Sequence, residues 1–304
     1  MQFDTDIILH AIPAFLFLFI IEGIFLATQS KFDTTKEILA SFGLGLGYVI
    51  LAPFTKGSNL LVYSFLYQHR IFDLSNHVLV AWLLCFFGDD LTYYWSHRLG
   101  HEIRFFWASH QVHHSARTLS LSTAFRQSWT NNLVGTFLFW SWLPLLGINP
   151  AMLLFVKSIN VIYQFWLHTE AIKKLPGWVE FVFNTPSHHR VHHGSNTEYL
   201  DKNYGGILII WDRIFKTYRD ETITPRYGLT KNINSSNPFV ITFFGWKNLI
   251  DDLRKSTSLK NAICYIFKAP VTIDVTTKPT HDLQKLQSNQ KKQSAPEITV
   301  QPAA

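Results

Sequence analysis

Ten of the 14 histidines in this 304-residue chain fall in three windows. They are "HRLGH" (97–101) with "HQVHH" (110–114), His168 alone, and "HHRVHH" (188–193). A neutral imidazole binds a transition metal through either ring nitrogen, so the windows suggest a metal centre. On a helix, residues three and four apart share a face, so His97 projects with His101, and His110 with His113 and His114. In "NTPSHHRVHHG" (184–194), Thr185 suits an N-cap, Pro186 the first helical position and Gly194 a stop. A short helix there presents His189, His192 and His193 on one side. His188 is one residue off that pattern but four before His192, and it reads either as a ligand or as a residue supporting one. Eight or nine imidazoles exceed what one ion accepts, so two ions are expected. Imidazole suits zinc, copper, iron and nickel alike, whereas a structural zinc needs four ligands and commonly uses cysteine. Two irons activating dioxygen against an apolar substrate is the preferred reading. A zinc-binding membrane transporter is the alternative from another class, although transport pathways usually place ionisable residues at the midplane of the spans. His10, His69, His77 and His281 read as isolated polar residues.

The elements that must carry these side chains are apolar. Ile7 to Thr28 is about as long as the ~20 residues a spanning helix needs, with Glu22 its only carboxylate. No Lys or Arg precedes it, so it reads as a retained span rather than a signal peptide. A second apolar run covers Ile38 to Phe54. Its "GLGLG" (43–47) lacks nucleotide-loop spacing and is expected to serve close helix packing. A third span is expected from about Val78 to Trp95, with Asp89 and Asp90 near its end, where a carboxylate is costly unless it serves a polar site. Trp129 to Leu146 and Ala151 to Leu167 read as two helices of a membrane hairpin around "GINP". Such a hairpin returns the chain to the side it left, and "WVEFVF" (178–183) is too short to cross. All three histidine windows are therefore expected on one face of the membrane.

Composition agrees with a lipid environment. Charged residues make up 16% of the chain and aromatics 15%, against roughly 25% charged in an average soluble protein. The net charge of +6 comes from scattered basic residues that form no nucleic-acid motif, so no nucleic-acid partner is expected and anionic lipid is the simpler attraction. Cys85 and Cys264 indicate neither a disulfide framework nor a cysteine metal site, which suits a reducing compartment. Lys31, Lys36, Arg98, Arg104, Arg117 and Arg126 place the histidines in the cytoplasm by the positive-inside rule. From about Thr276 the sequence is polar and aperiodic. The expectation is an all-α, multi-span integral membrane bundle over 1–275 with a cytoplasmic cap of short histidine-bearing helices, followed by a disordered polar tail at 276–304.

The spacing and flanks of the boxes resemble the fatty acid hydroxylase and sterol desaturase superfamily of membrane di-iron enzymes. Within it, they are most similar to the alkylglycerol monooxygenases. The resemblance rests on "YYWSHRLGHE" (93–102), "FWASHQVHHS" (106–115), "LSTAFRQS" (121–128), "YQFWLHTE" (163–170), "NTPSHHRVHHG" (184–194), "DKNYGGILIIWDRIF" (201–215) and "YGLT" (227–230), and spans roughly residues 85–230. It implies that His97, His101, His110, His113, His114, His168, His189, His192 and His193 coordinate two irons, with Gln164 completing the shell through water. Asp90, seven residues before His97 and so on about the same helix face, and Glu102, Glu170, Asp201 and Asn203 are candidates to hydrogen-bond the outer imidazole N–H groups, with interfacial polar packing as the alternative for each. The implied reaction uses O2 to hydroxylate a lipid C–H bond. If that carbon adjoins an ether oxygen, the product falls apart to a fatty aldehyde, with tetrahydrobiopterin as reductant. Sterol or fatty-acyl desaturation or hydroxylation is the alternative outcome. No cytochrome b5 or flavin module is recognisable, so a separate electron donor is expected. The chain departs from the family pattern at Arg117 and Ser120, where relatives carry Glu and Asn, and at Lys216, where they tend to carry Gly.

Overall fold

The structure is a computed structural model that describes residues 7–28 and 35–270. The expected tail at 276–304 lies outside the described residues, as does Lys31. Eleven α-helices follow one another, and no strand forms among the described residues; Phe183 and Leu208 make one isolated antiparallel bridge. Helix α1 (Ile7–Thr28) coincides with the first apolar run. Helix α2 (Thr35–Gln68) runs one turn earlier and four turns further than the apolar stretch that announces it. Its polar residues do not stop it, because Thr55 and Ser58 donate to the carbonyls of Ala52 (3.0 Å) and Thr55 (2.9 Å) and so satisfy themselves on the helix. Both helices are long and apolar enough to cross a bilayer, and side chains such as Phe17, Ile24, Leu46, Ile50 and Leu61 remain exposed. Large apolar side chains left exposed along helices of this length suit a lipid environment.

Helix α3 (Val78–Glu102) runs unbroken from the expected third span into the first histidine window. The expected helix at 129–146 does not form. Turns occupy 129–135, Gly135 adopts a left-handed φ of 76°, and only a 3₁₀ turn (Thr136–Trp140) and the four-residue α5 (Trp142–Leu145) follow. Thr130 and Asn132 are drawn away by hydrogen bonds to Ser109 and Ser58, which compete with a helical backbone. Helix α6 (Pro150–Phe165) has 16 residues, about 24 Å at 1.5 Å per residue and short of the ~30 Å hydrocarbon layer. The two-span hairpin is therefore replaced by one short helix against folded turns.

The remaining helices are α4 (Arg104–His114), α7 (Gly177–Val182), α8 (Pro186–His192), α9 (Ile210–Ile214), α10 (Pro238–Arg254) and α11 (Leu259–Phe267). One apolar core joins α2, α3 and α6 around Tyr63, Cys85, Leu143, Leu153 and Val156. Another joins α2, α4 and α10 through Leu44, Val112 and Ile241. The glycines of "GLGLG" face Pro238, Phe125 and Trp129, and a Cβ at Gly47 would come within 2.3 Å of the Trp129 indole. Close packing is thus what that stretch does. Glu22 of α1 is buried and accepts from the Leu121 N–H (2.6 Å) and the Thr169 hydroxyl, tying the first helix to the segment beside His168.

Candidate metal centre

Four elements deliver nine imidazoles to one place. His97 and His101 lie one turn apart at the end of α3, beyond Trp95, and the extended Ile103 (φ −115°, ψ 119°) breaks the chain so that α4 turns back with His110, His113 and His114. His168 follows the C-terminus of α6. Helix α8 forms between the expected signals: the Thr185 hydroxyl accepts from the His188 N–H, and Pro186 opens the first turn. Gly194 is needed for space, because a Cβ there would lie 2.8 Å from the Tyr199 ring.

The nine rings sort into two groups. His97, His101, His110, His114 and His192 form one, and His113, His168, His189 and His193 the other; within each, one ring nitrogen per residue lies within 4.8 Å of the others. Each three-histidine box is split. The residues four apart, His110/His114 and His189/His193, go to opposite groups, and the third member of each box crosses over. Three rings on one face of a helix therefore bridge two positions.

The chemistry of the rings fits a cation at each. The Nδ1 atoms of His97, His168 and His192 face the carbonyls of Tyr204 (2.8 Å), Gln164 (2.9 Å) and Lys202 (3.0 Å), and that of His113 faces Arg126 O at 3.4 Å. A carbonyl only accepts, so each of these Nδ1 atoms carries the proton and each Nε2 presents a lone pair. His113 Nε2 and His168 Nε2 lie 3.1 Å apart, lone pair against lone pair. His101 Nε2 and His192 Nε2 are buried with no hydrogen-bond partner. A shared metal ion turns both situations into coordination. Burial holds the rings neutral, as ligands must be: His97 and His168 are pushed down to about 4, and the other seven lie well below the ordinary histidine value, with neighbouring imidazoles adding to the effect.

The other sequence candidates sit elsewhere. His188 points out of both groups; its Nε2 is 3.0 Å from Glu180 Oε2 and its ring packs on Tyr218. Gln164 contributes its backbone carbonyl to His168, while its side chain accepts from Tyr93 (2.6 Å) and donates to Asn160 (2.7 Å). Of the five residues expected on outer imidazole N–H groups, Asp201 alone approaches a ring, with Oδ1 3.8 Å from His101 Nδ1. Asp90 instead accepts from the backbone of Ile207 (2.7 Å) and Leu208 (3.1 Å) and from the Trp211 indole (2.9 Å). Asn203 binds the backbone of His188 and Arg219, Glu102 pairs with Arg98, and Glu170 lies near Tyr227. For four rings the difference has a physical reason: backbone carbonyls take the outer N–H groups of His97, His113, His168 and His192, and Asp90 acts further back, on the backbone of Ile207 and Leu208.

Two residues with that role were missed in the sequence. Asp212 is fully buried and accepts from Tyr204 N (2.8 Å), Gly205 N (2.7 Å) and Thr217 Oγ1 (2.7 Å); the Gly205 contact fixes the peptide whose carbonyl faces His97, and Thr217, held by Asp212, accepts from Asn203 N (3.1 Å) in the peptide whose carbonyl faces His192. Arg126, whose carbonyl faces His113, is buried against Glu37 (2.8 Å) and Ser115 (3.0 Å). The positive-inside argument uses Arg126 only for its charge, whereas the structure buries it. Arg104, counted likewise, pairs with Asp252. A cavity of about 200 Å³ opens beside the five-histidine group, lined by His101, His114, His192, Trp107, Leu229 and Phe244 among others.

The fatty acid hydroxylase family model matches residues 82–217, a range that includes every one of these histidines. The chain carries a domain of the fatty acid hydroxylase family. It is similar to alkylglycerol monooxygenase from Danio rerio (37% identical over 264 residues, 86% of this chain and 58% of that protein). The human alkylglycerol monooxygenase is 36% identical over 268 residues, covering 87% of this chain and 60% of that protein. The ornithine lipid hydroxylase OlsE of Rhizobium tropici is 29% identical over 127 residues, or 42% of this chain and 38% of that protein. The chain thus spans about 60% of the length of the alkylglycerol monooxygenases from these two vertebrates. No solved structure matches it. The matched family, the two histidine groups that could each hold a metal ion, and the two helices long and apolar enough to cross a membrane are the features on which a function has to rest.

Proposed function

We propose that this chain is an O2-dependent lipid monooxygenase in which the five- and four-histidine groups each hold one iron. The observation that carries the reading is the sorting of nine neutral imidazoles, seven of them buried and two half-buried, into two groups whose lone pairs converge. Iron supplies the redox chemistry and dioxygen activation that no side chain of this site offers. The chain's own residues do the rest. Neutral nitrogen ligands leave the positive charge of the centre uncompensated, the carbonyls of Tyr204, Lys202, Gln164 and Arg126 fix ring orientation, and burial keeps bulk water from competing with substrate.

The preferred substrate is an alkylglycerol, after the relatives' names. In that reaction a CH2 group beside the ether oxygen takes one oxygen atom from O2. The other leaves as water, with two electrons and two protons from a reductant. The resulting hemiacetal loses its hydroxyl proton and breaks its second C–O bond, giving a fatty aldehyde and a free glycerol hydroxyl. A separate donor supplies the electrons, and tetrahydrobiopterin is the reductant to test first. Residues up to about 275 act as one membrane-embedded unit with the centre on the cytoplasmic side.

Metal analysis with oxygen uptake tests this directly. Purified protein should carry about two irons per chain, consume O2 with alkylglycerol and release fatty aldehyde; His192→Ala should abolish turnover. Zinc alone, with no oxygen uptake on any lipid, overturns the reading, whereas an unsaturated product without aldehyde moves the chain to desaturation.

A further inference from the structure

Helices α10 and α11 expose an apolar face that none of the described residues covers. In α11 no residue is buried, and Leu259, Ile263 and Phe267, spaced four apart on one face, are 78%, 48% and 61% exposed. In α10, Phe239, Phe243 and Ile250 are exposed on one side, which turns polar at Lys247 and Arg254 toward the C-terminus. Charge accompanies the face. Between 247 and 268 there are five cations (Lys247, Arg254, Lys255, Lys260, Lys268) against the carboxylates Asp251 and Asp252, and Asp252 is already engaged by Arg104.

Position says what covers this face. Pro238, at the start of α10, seats on Gly43 of α2, and Phe239 packs on the Trp129 ring (4.8 Å), whose indole N–H donates to Leu44 O (2.8 Å). The exposed α10 residues therefore continue the exposed stripe of Leu39, Leu46 and Ile50 on α2. The opposite side of α10 lines the cavity beside the five-histidine group through Phe244, Gly245 and Asn248. Helix α11 closes back onto the same place, with the Arg104 N–H donating to Lys268 O (3.2 Å).

We propose that α10 and α11 form a hairpin seated in the headgroup layer of a bilayer containing anionic lipid, with its apolar stripe in the acyl boundary and its cations at the phosphates. Amphipathic helices with basic flanks bind such surfaces by both terms, and the long cationic side chains beside the stripe can reach outward while their stems stay apolar. The cavity then opens at headgroup depth, so a lipid reaches the histidines from the membrane surface without leaving the bilayer. This rests on the reading of α1 and α2 as spans, but on no assumption about the reaction.

Nitroxide labels on Leu259→Cys, Ile263→Cys, Phe267→Cys and Lys260→Cys, in a Cys264→Ser background with Cys85 buried, test it in full-length protein reconstituted into nanodiscs. Phe17→Cys on α1 serves as the control. Labels at 259, 263 and 267 should collide with O2 more than with a water-soluble nickel chelate, the label at 260 should show the reverse, and adding phosphatidylserine to phosphatidylcholine discs should deepen the three. With each of Lys260→Glu and Lys268→Glu, the docked fraction in anionic discs should fall about fivefold. Nickel-accessible labels along α11 with a lipid-buried label at 17 overturn the docking alone. Equal depth in neutral and anionic discs overturns the anionic preference, and dipolar broadening between labels assigns the face to a second copy. A nickel-accessible label at 17 removes the spans, and the membrane reading with them.

Discussion

The two histidine groups are built alike and held differently. Each takes a pair four residues apart from one short helix and a single crossing histidine from another, so α4 and α8 play reciprocal parts. The five-histidine group hangs on the loop after α8: His97 and His192 face the carbonyls of Tyr204 and Lys202, in a segment where Asp201 and Asn203 have left-handed φ values of 58° and 56°. The four-histidine group hangs on the helical bundle, through Gln164 O to α6, Arg126 O to Glu37 of α2, and Thr169 to Glu22 of α1. One position is thus set by an irregular loop facing the cavity and the other by packed helices. The difference lies in which position can yield.

Ligand number makes the sharpest test. His168→Ala leaves three imidazoles in its group and should cost about one metal per chain and all measurable turnover, whereas His101→Ala leaves four in its own and should retain more metal. Metal analysis of the two variants side by side breaks the comparison if their losses are equal. Next in size, Asp212→Asn disturbs the loop alone; it should lower metal affinity or activity 10–100-fold, about the usual cost of removing an outer partner. Spectroscopy of the loaded protein should show the change at one iron. Identical changes at both irons mean that loop and bundle act as one support.

Acid should act on the metal-free protein through both groups. The folded-state values of His97 and His168 are near 4, below the ordinary 6.5 of an unfolded chain, so the unfolded state binds more protons between those limits. Stability is therefore full above about pH 6.5 and falls as pH drops toward 4. The unfolding midpoint of chelated protein at pH 7.5 and pH 5 checks this, and metal should abolish most of the difference. Smaller still is Lys216→Gly. Lys216 is exposed with φ 61°, a conformation that costs an L-residue roughly 1–2 kcal/mol and Gly nothing. The net gain, after the entropy Gly loses on folding, is about 0.5–1 kcal/mol, measurable as a small rise in the thermal midpoint with metal content unchanged.

Legibility followed the range of the forces involved. Helix α1 was readable to the residue because an apolar run of spanning length needs only its own hydrogen bonds. The ends of α8 were readable because a Thr cap and an N1 proline act within four residues. The 129–146 stretch was misread: its apolar residues satisfy a helical pattern, but Thr130 and Asn132 bond to Ser109 and Ser58, partners 21 and 74 positions away. Helix α2 continues past the apolar run that ends at Phe54, because Thr55 and Ser58 bond back to their own helix. Asp90 reads from the sequence as a carboxylate with a polar task, and the task is to hold backbone 117 and 118 residues ahead together with the Trp211 indole.

By itself, the amino-acid sequence determined the type of candidate ligand, the number of imidazoles and the spacing of the boxes on α3, α4 and α8, because those depend on residue chemistry and helical period. Only the tertiary structure decided which histidine joins which group, because three rings on one helical face can serve one position or two until α3, α4, α6 and α8 are packed. It also decided that backbone carbonyls rather than carboxylates orient His97, His113, His168 and His192. A carbonyl is present at every residue, so which one lies within hydrogen-bond reach of an imidazole is settled by packing alone.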